Sequence, residues 1–210
     1  MKKQKQRIAL FGGTFAPPHL GHVHAVKTLS EHIDVDRIII MPTFMPPHKV
    51  KVKGDTPELR LEMCRAAFGD IDKAYVSDYE IEKGGVSYTV HTLEHLTSEF
   101  ENADIFLLCG TDMFLTLNSW FRAERIFSLA KIVCIPRYSE NIDFLNVKKQ
   151  EYEDEFGAEI SIIGSDPFEI SSTEIRCLIT EGGDLSEYLP SGVIEIIRRE
   201  KLYNESEDNG

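Results

Sequence analysis

Apolar residues along this chain fall into two patterns. Short dense blocks, Ile8 to Phe11, Arg37 to Met41, Asp104 to Cys109 and Lys131 to Pro136, are rich in β-branched and aromatic residues and read as strands. Asp104 to Cys109 is apolar without alternation, as expected of a parallel strand buried on both faces. Ala74 to Ile81 alternates well enough for a further strand, and Glu159 to Ile163 reads as a last short one. Between these blocks the apolar positions spread to helical spacing. Leu20 to Ile33 follows the first block. Thr56-Pro57-Glu58 reads as N-cap, N1 proline and a first-turn acid for a helix over Pro57 to Phe68, with Gly69 as its stop. Leu59, Met63 and Ala67 form its core stripe.

Ser87-Tyr88-Thr89 opens a helix reaching about Phe100, with the Ser87 hydroxyl as cap, and Trp120 to Leu129 reads as another. Ser171 and Glu174 fit the capping box of a helix that Gly182 and Gly183 end, and Pro190-Ser191 starts a final one carrying Val193, Ile196 and Ile197. Asn141 to Gly157, polar, acidic and aromatic, reads as a surface loop with a short helix. A strand, one helix and a second strand make a βαβ unit with parallel strands. Its repetition predicts an α/β fold: a Rossmann-like, doubly wound, mostly parallel sheet of five to six strands with helices on both faces. Ligands of such sheets bind at the C-terminal strand edge. The 210 residues are expected to form one domain, frayed at 1–6 and 204–210.

Composition narrows the function. Hydrophobic content of 42% and charged content of 28% are ordinary for a globular protein, and no run approaches the roughly 18 apolar residues of a membrane span. The basic N-terminus leads into a strand rather than a secretory apolar region. The cysteines, Cys64, Cys109, Cys134 and Cys177, are far apart and form no metal-binding spacing, which fits reduced thiols in the cytoplasm. A net charge of −12 argues against nucleic-acid binding, yet a locally basic pocket can still take a small anion.

The chemistry concentrates in GGTFAPPHLGH, Gly12 to His22. It reads as strand, tight glycine turn and two histidines in the first turn of a helix. Helix N-termini offer unpaired N–H groups and partial positive charge, and glycines let a ligand lie against the backbone. His19 and His22, three apart, share a helix face, which suits phosphate. Pro46-Pro47 stiffen the next loop and set Lys49 at its end, over the same edge. Backbone N–H groups near Tyr88 and Thr89 suit a carboxylate, although plain capping explains those residues equally. Gly110 and Asp112, after a central strand, suit a ribose. Trp120, the single tryptophan, serves either as packing or as a stacking surface. Ser172 and Thr173 add hydroxyls at a helix start, and Arg176 brings a planar fork to the same anion.

GGTFAPPHLGH together with ISSTEIR resembles the H-x-G-H nucleotidyltransferase superfamily. MPTFMPPHK, GGVSYTVHTLEHL, GTDM, the Ser119-Trp120 pair and IPR make the chain, from about residue 7 to 203, similar to its bacterial nicotinate-nucleotide adenylyltransferase branch. The resemblance implies adenylyl transfer from ATP to nicotinate mononucleotide in NAD biosynthesis, with Mg²⁺ carried by ATP. It implies no protein-held metal, and leaves self-association open. By position it implies catalytic roles for His19, His22, Lys49 and Arg176. It places ATP against Gly12, Gly13, Thr14, Phe15, His19, His22, Gly110, Asp112, Arg137, Ser171, Ser172, Thr173 and Arg176. It places the mononucleotide against Thr43, Lys49, Tyr88, Thr89, Met113 and Trp120. Ala16 stands where the family usually carries Asp or a similar polar residue, and Pro18 where Ile is more usual.

Overall fold

Among the described residues, six strands form one parallel sheet in the order β3-β2-β1-β4-β5-β6. They are β1 (Arg7–Gly13), β2 (Arg37–Pro42), β3 (Ala74–Val76), β4 (Asp104–Cys109), β5 (Lys131–Cys134) and β6 (Ile160–Ile162). The computed structural model describes residues 5–47, 54–136, 142–164 and 170–204. Strand residues alternate between two cores. Ile8 and Leu10 face one side with Ile105, Leu107 and Ile132; Ala9 and Phe11 face the other with Phe106, Leu108 and Val133. Helices α1 (Leu20–His32) and α2 (Pro57–Phe68) cover the second side through Val23, Val26, Leu29, Cys64 and Phe68. The first side is covered by α4 (Thr89–Glu99), α5 (Thr111–Thr116), α6 (Ala123–Leu129) and α7 (Ile142–Phe156). This is the Rossmann-like, doubly wound arrangement. No helix among the described residues is long and apolar enough to cross a membrane.

Four local expectations are corrected. Gly12 and Gly13 are not in a turn: they extend β1, opposite Met41 and Pro42 of β2. The ladder continues because β2 runs through its proline. The turn falls one step later, where Phe15 has φ 50° and the Ala16–Pro17 bond is cis. The third strand stops at Val76, and Tyr79–Lys83 forms a short helix, α3. There the Tyr79 N–H donates to Ser77 Oγ at 3.2 Å and the Glu80 carboxylate accepts from Thr92 Oγ1, so this acid turns inward and breaks the alternation. Trp120 does not begin a helix. It closes a 3₁₀ turn, Leu117–Ser119, and α6 starts only after Arg122 at φ 57°. Finally, residues 142–156 are one 15-residue helix. Its buried stripe is narrow, chiefly Leu145 and Tyr152, and ion pairs such as Lys148–Glu151 dress its outer side.

The chain's C-terminal part, α8 (Ser172–Thr180) and α9 (Ser191–Glu200), builds a third cluster against Met63 of α2. It is also tied to the turn after β1. Ser172 Oγ donates to the Pro17 carbonyl at 2.9 Å, and the Leu20 N–H donates to the Tyr188 carbonyl at 2.8 Å. Two sequence-distant helix starts, those of α1 and α8, are thereby held beside one strand edge.

Candidate active site

A cavity of about 1140 Å³ opens where β1 and β4 meet at their C-terminal ends. The strand order reverses there, as expected of a ligand site in an open parallel sheet. His19, His22, Ser171, Ser172, Thr173 and Arg176 line it. So do Gly12, Gly13, Thr14, Phe15, Gly110 and Asp112, and on its other flank Thr43, Tyr88, Thr89, Met113 and Trp120. Lys49 and Arg137 lie outside the described residues; Pro47 and Pro136 line the cavity.

His19 is the N-cap of α1 rather than a residue of its first turn. Its backbone N–H donates to His22 Nδ1 at 3.1 Å. That bond makes Nδ1 an acceptor, so a neutral His22 carries its proton on Nε2. The two rings lie 3.6 Å apart between centroids, and the Phe15 edge meets His22 at 5.1 Å. His22 is therefore held by cap and packing together. Gly12 has nothing within 4 Å of where a Cβ would stand, while a Cβ on Gly13 would meet the Phe15 ring at 3.0 Å. The first glycine keeps the cavity floor open; the second lets Phe15 fold back.

At α8 the capping box is formed: Ser171 Oγ accepts from the Glu174 N–H at 3.2 Å, and Glu174 Oε2 accepts from the Ser171 N–H at 2.7 Å. The Ser172 and Thr173 N–H groups, at N1 and N2, have no partner within the helix and point where an anion is favoured. Arg176 donates from Nη1 to the Ala16 carbonyl at 2.9 Å and from Nη2 to Thr173 Oγ1 at 3.2 Å. Ala16 thus contributes through its carbonyl, which needs no polar side chain. Ser87 does not cap α4. Tyr88 is the N-cap, and Ser87 Oγ instead accepts from the Phe44 N–H at 2.9 Å.

Several lining residues carry no signal in the sequence pattern. Arg60 and Asp55 are both buried, and Arg60 Nε lies 3.1 Å from Asp55 Oδ1. Burial raises the Asp55 pKa to about 6, against the opposing pull of Arg60 and Arg176. Burial likewise raises the pKa of Glu80, with Ser87 and Thr92 hydrogen bonds opposing it. Phe121, beside Trp120, is half exposed and packs on Tyr88 at 4.7 Å between ring centroids. A charged residue next to a core stripe, an acid in an alternating run and an aromatic in a turn all look solvent-facing in sequence.

Residues 10–178 match the cytidylyltransferase-like family. Proteins named "Probable nicotinate-nucleotide adenylyltransferase" from Clostridium tetani and Clostridium acetobutylicum are 34% and 36% identical to this chain. Each match covers 97% of this chain and 100% of the relative. The fold also matches Plasmodium falciparum nicotinic acid mononucleotide adenylyltransferase complexed with NaAD, with TM-score 0.79, 19% identity, and coverage of 96% of this chain and 98% of that one. The chain belongs to the cytidylyltransferase-like family of nucleotidyltransferases and, within it, to the nicotinate-nucleotide adenylyltransferases.

Proposed function

We propose that this chain transfers the adenylyl group of ATP to the phosphate of nicotinate mononucleotide, giving nicotinate adenine dinucleotide and pyrophosphate in NAD biosynthesis. The observation that carries the reading is convergence. Paired histidines, the α8 start with Arg176, and the Tyr88–Trp120 flank all open on one cavity of about 1140 Å³, large enough for two nucleotides. Family membership supports the same reaction.

In this reading a mononucleotide phosphate oxygen attacks the α-phosphorus of ATP in line. The new P–O bond forms as the bond to the bridging oxygen breaks, and pyrophosphate leaves with that electron pair. The nucleophile is already anionic, so no general base is needed. Catalysis is positioning and charge stabilisation. His19 and His22 hold ATP phosphates, with the His22 Nε2–H as donor. Ser172, Thr173 and Arg176 take the β and γ phosphates. Lys49 and Arg137 add cations. Gly110 and Asp112 hold the ribose, the Tyr88 and Thr89 backbone receives the nicotinate carboxylate, and Trp120 stacks on the pyridine ring. Mg²⁺ enters as the counter-ion of ATP. The whole chain acts as one unit in the cytoplasm, a setting its free cysteines suit.

Pyrophosphate release from ATP tests this, with nicotinate mononucleotide, nicotinamide mononucleotide and phosphopantetheine offered separately. Release with nicotinate mononucleotide is expected. Release with phosphopantetheine alone would overturn the substrate assignment.

A further inference from the structure

Arg60 sits on α2 beside the apolar stripe, and its side chain is only 4% exposed. A guanidinium removed from water needs several good partners, so its contacts reveal its role. Nη1 donates to the carbonyls of Thr14 at 3.0 Å and Thr43 at 2.6 Å, and Nη2 to that of Phe44 at 3.1 Å. Thr14 follows β1; Thr43 and Phe44 follow β2. One planar fork therefore ties together the two loops that wall the cavity. The tie continues through the Phe44 N–H to Ser87 Oγ, next to Tyr88.

Behind the fork stands Asp55, equally buried, with Oδ1 3.1 Å from Arg60 Nε. Among the described residues it is faced by Arg60 and Cys64 of α2, Arg176 of α8 and the Tyr203 hydroxyl near the C-terminus. We propose that Asp55 and Arg60 form a positioning pair for adenylyl transfer: the ionised carboxylate fixes the plane of the guanidinium, which fixes the two loops. Neither residue touches the reacting atoms. Because burial holds the Asp55 proton to about pH 6, the pair is complete only above that pH.

The inference rests on the adenylyl-transfer reading, and its test separates the two. Arg60→Lys keeps the charge but replaces the fork by a point donor. It is expected to lower kcat about 10²-fold, the scale of a misplacement of about 1 Å, with little change in KM for ATP. Asp55→Asn cannot ionise, so the acid limb of its kcat/KM profile becomes shallower by one proton than that of the unmodified chain. Tyr203→Phe keeps the ring but removes a hydroxyl that favours the carboxylate, so the limb's midpoint moves to higher pH. If Asp55→Asn does not fold, the other two variants decide. Full kcat in Arg60→Lys, or an acid limb unchanged in the Asp55 and Tyr203 variants, overturns the pair. Absence of pyrophosphate release by the unmodified chain overturns the reaction instead. In that event amide hydrogen exchange at Thr43 and Phe44 still judges the tie: exchange is faster in Arg60→Lys if the tie exists, and unaltered exchange overturns it.

Discussion

Asp55 makes folding stability depend on pH with a sign and size that follow from its surroundings. Its side chain is 4% exposed, and burial raises its pKa from 3.8 to about 6 despite Arg60 and Arg176. In the unfolded chain the proton leaves near the ordinary value; in the folded chain it stays until about pH 6. Between those limits the folded state binds more protons, so stability falls as pH rises through the window. Below it both states are protonated, above it both are ionised, and the contribution is constant. At about 1.4 kcal/mol per pH unit, the fall amounts to about 3 kcal/mol. Other carboxylates titrate over the same range, so the useful quantity is the difference between the unmodified chain and Asp55→Asn. Urea unfolding from pH 4 to pH 7 covers most of that window and should show the difference shrinking by about 2.4 kcal/mol, equivalent to about 1 M in relative midpoint. A difference that stays flat, or grows with pH, would show that the fold does not raise the Asp55 pKa. Growth would mean that attraction to Arg60 outweighs desolvation.

Three further substitutions probe separate parts of the structure. Trp120→Ala should raise KM for the mononucleotide roughly tenfold, the scale of one lost stacking contact, and leave KM for ATP nearly unchanged in steady-state kinetics. Tyr152→Phe removes donation to the Phe114 carbonyl at 2.8 Å inside the core; thermal or urea unfolding should show a loss of about 1–2 kcal/mol, without a change in kcat. Ser171→Ala removes the α8 cap and should destabilise the chain by about 1 kcal/mol while raising KM for ATP, because the frayed turn carries Ser172 and Thr173.

What the sequence announced was local. β1, α1, the α2 cap and the α8 capping box each depend on residues within a few positions of one another, and the structure shows each of them. Because H-x-G-H and ISST-x-x-R both sit at helix starts, the part of the cavity's lining that those two starts supply is legible as well. What escaped depends on partners far along the chain. Arg60 looks like a solvated helix residue until the loops after β1 and β2 close over it. Glu80 looks like the polar side of a strand until Thr92, from the next helix, meets it. Residues 142–156 look like a surface loop with a short helix because their stripe is narrow and their surface charged; Phe114 and Phe127, distant in sequence, give Tyr152 a place to pack. The glycine pair looks like a turn because glycine favours turns; the strand simply runs through it, and Phe15 bears the positive φ.

In the proposed reaction, imidazole and guanidinium groups from the starts of α1 and α8 act on one triphosphate. Steady-state pyrophosphate release by His22→Ala, with nicotinate mononucleotide saturating and ATP varied, tests it most directly. The expected result is a fall in kcat of roughly 10²–10³-fold, the scale of one lost transition-state donor, with a much smaller rise in KM for ATP. An unchanged kcat would contradict it.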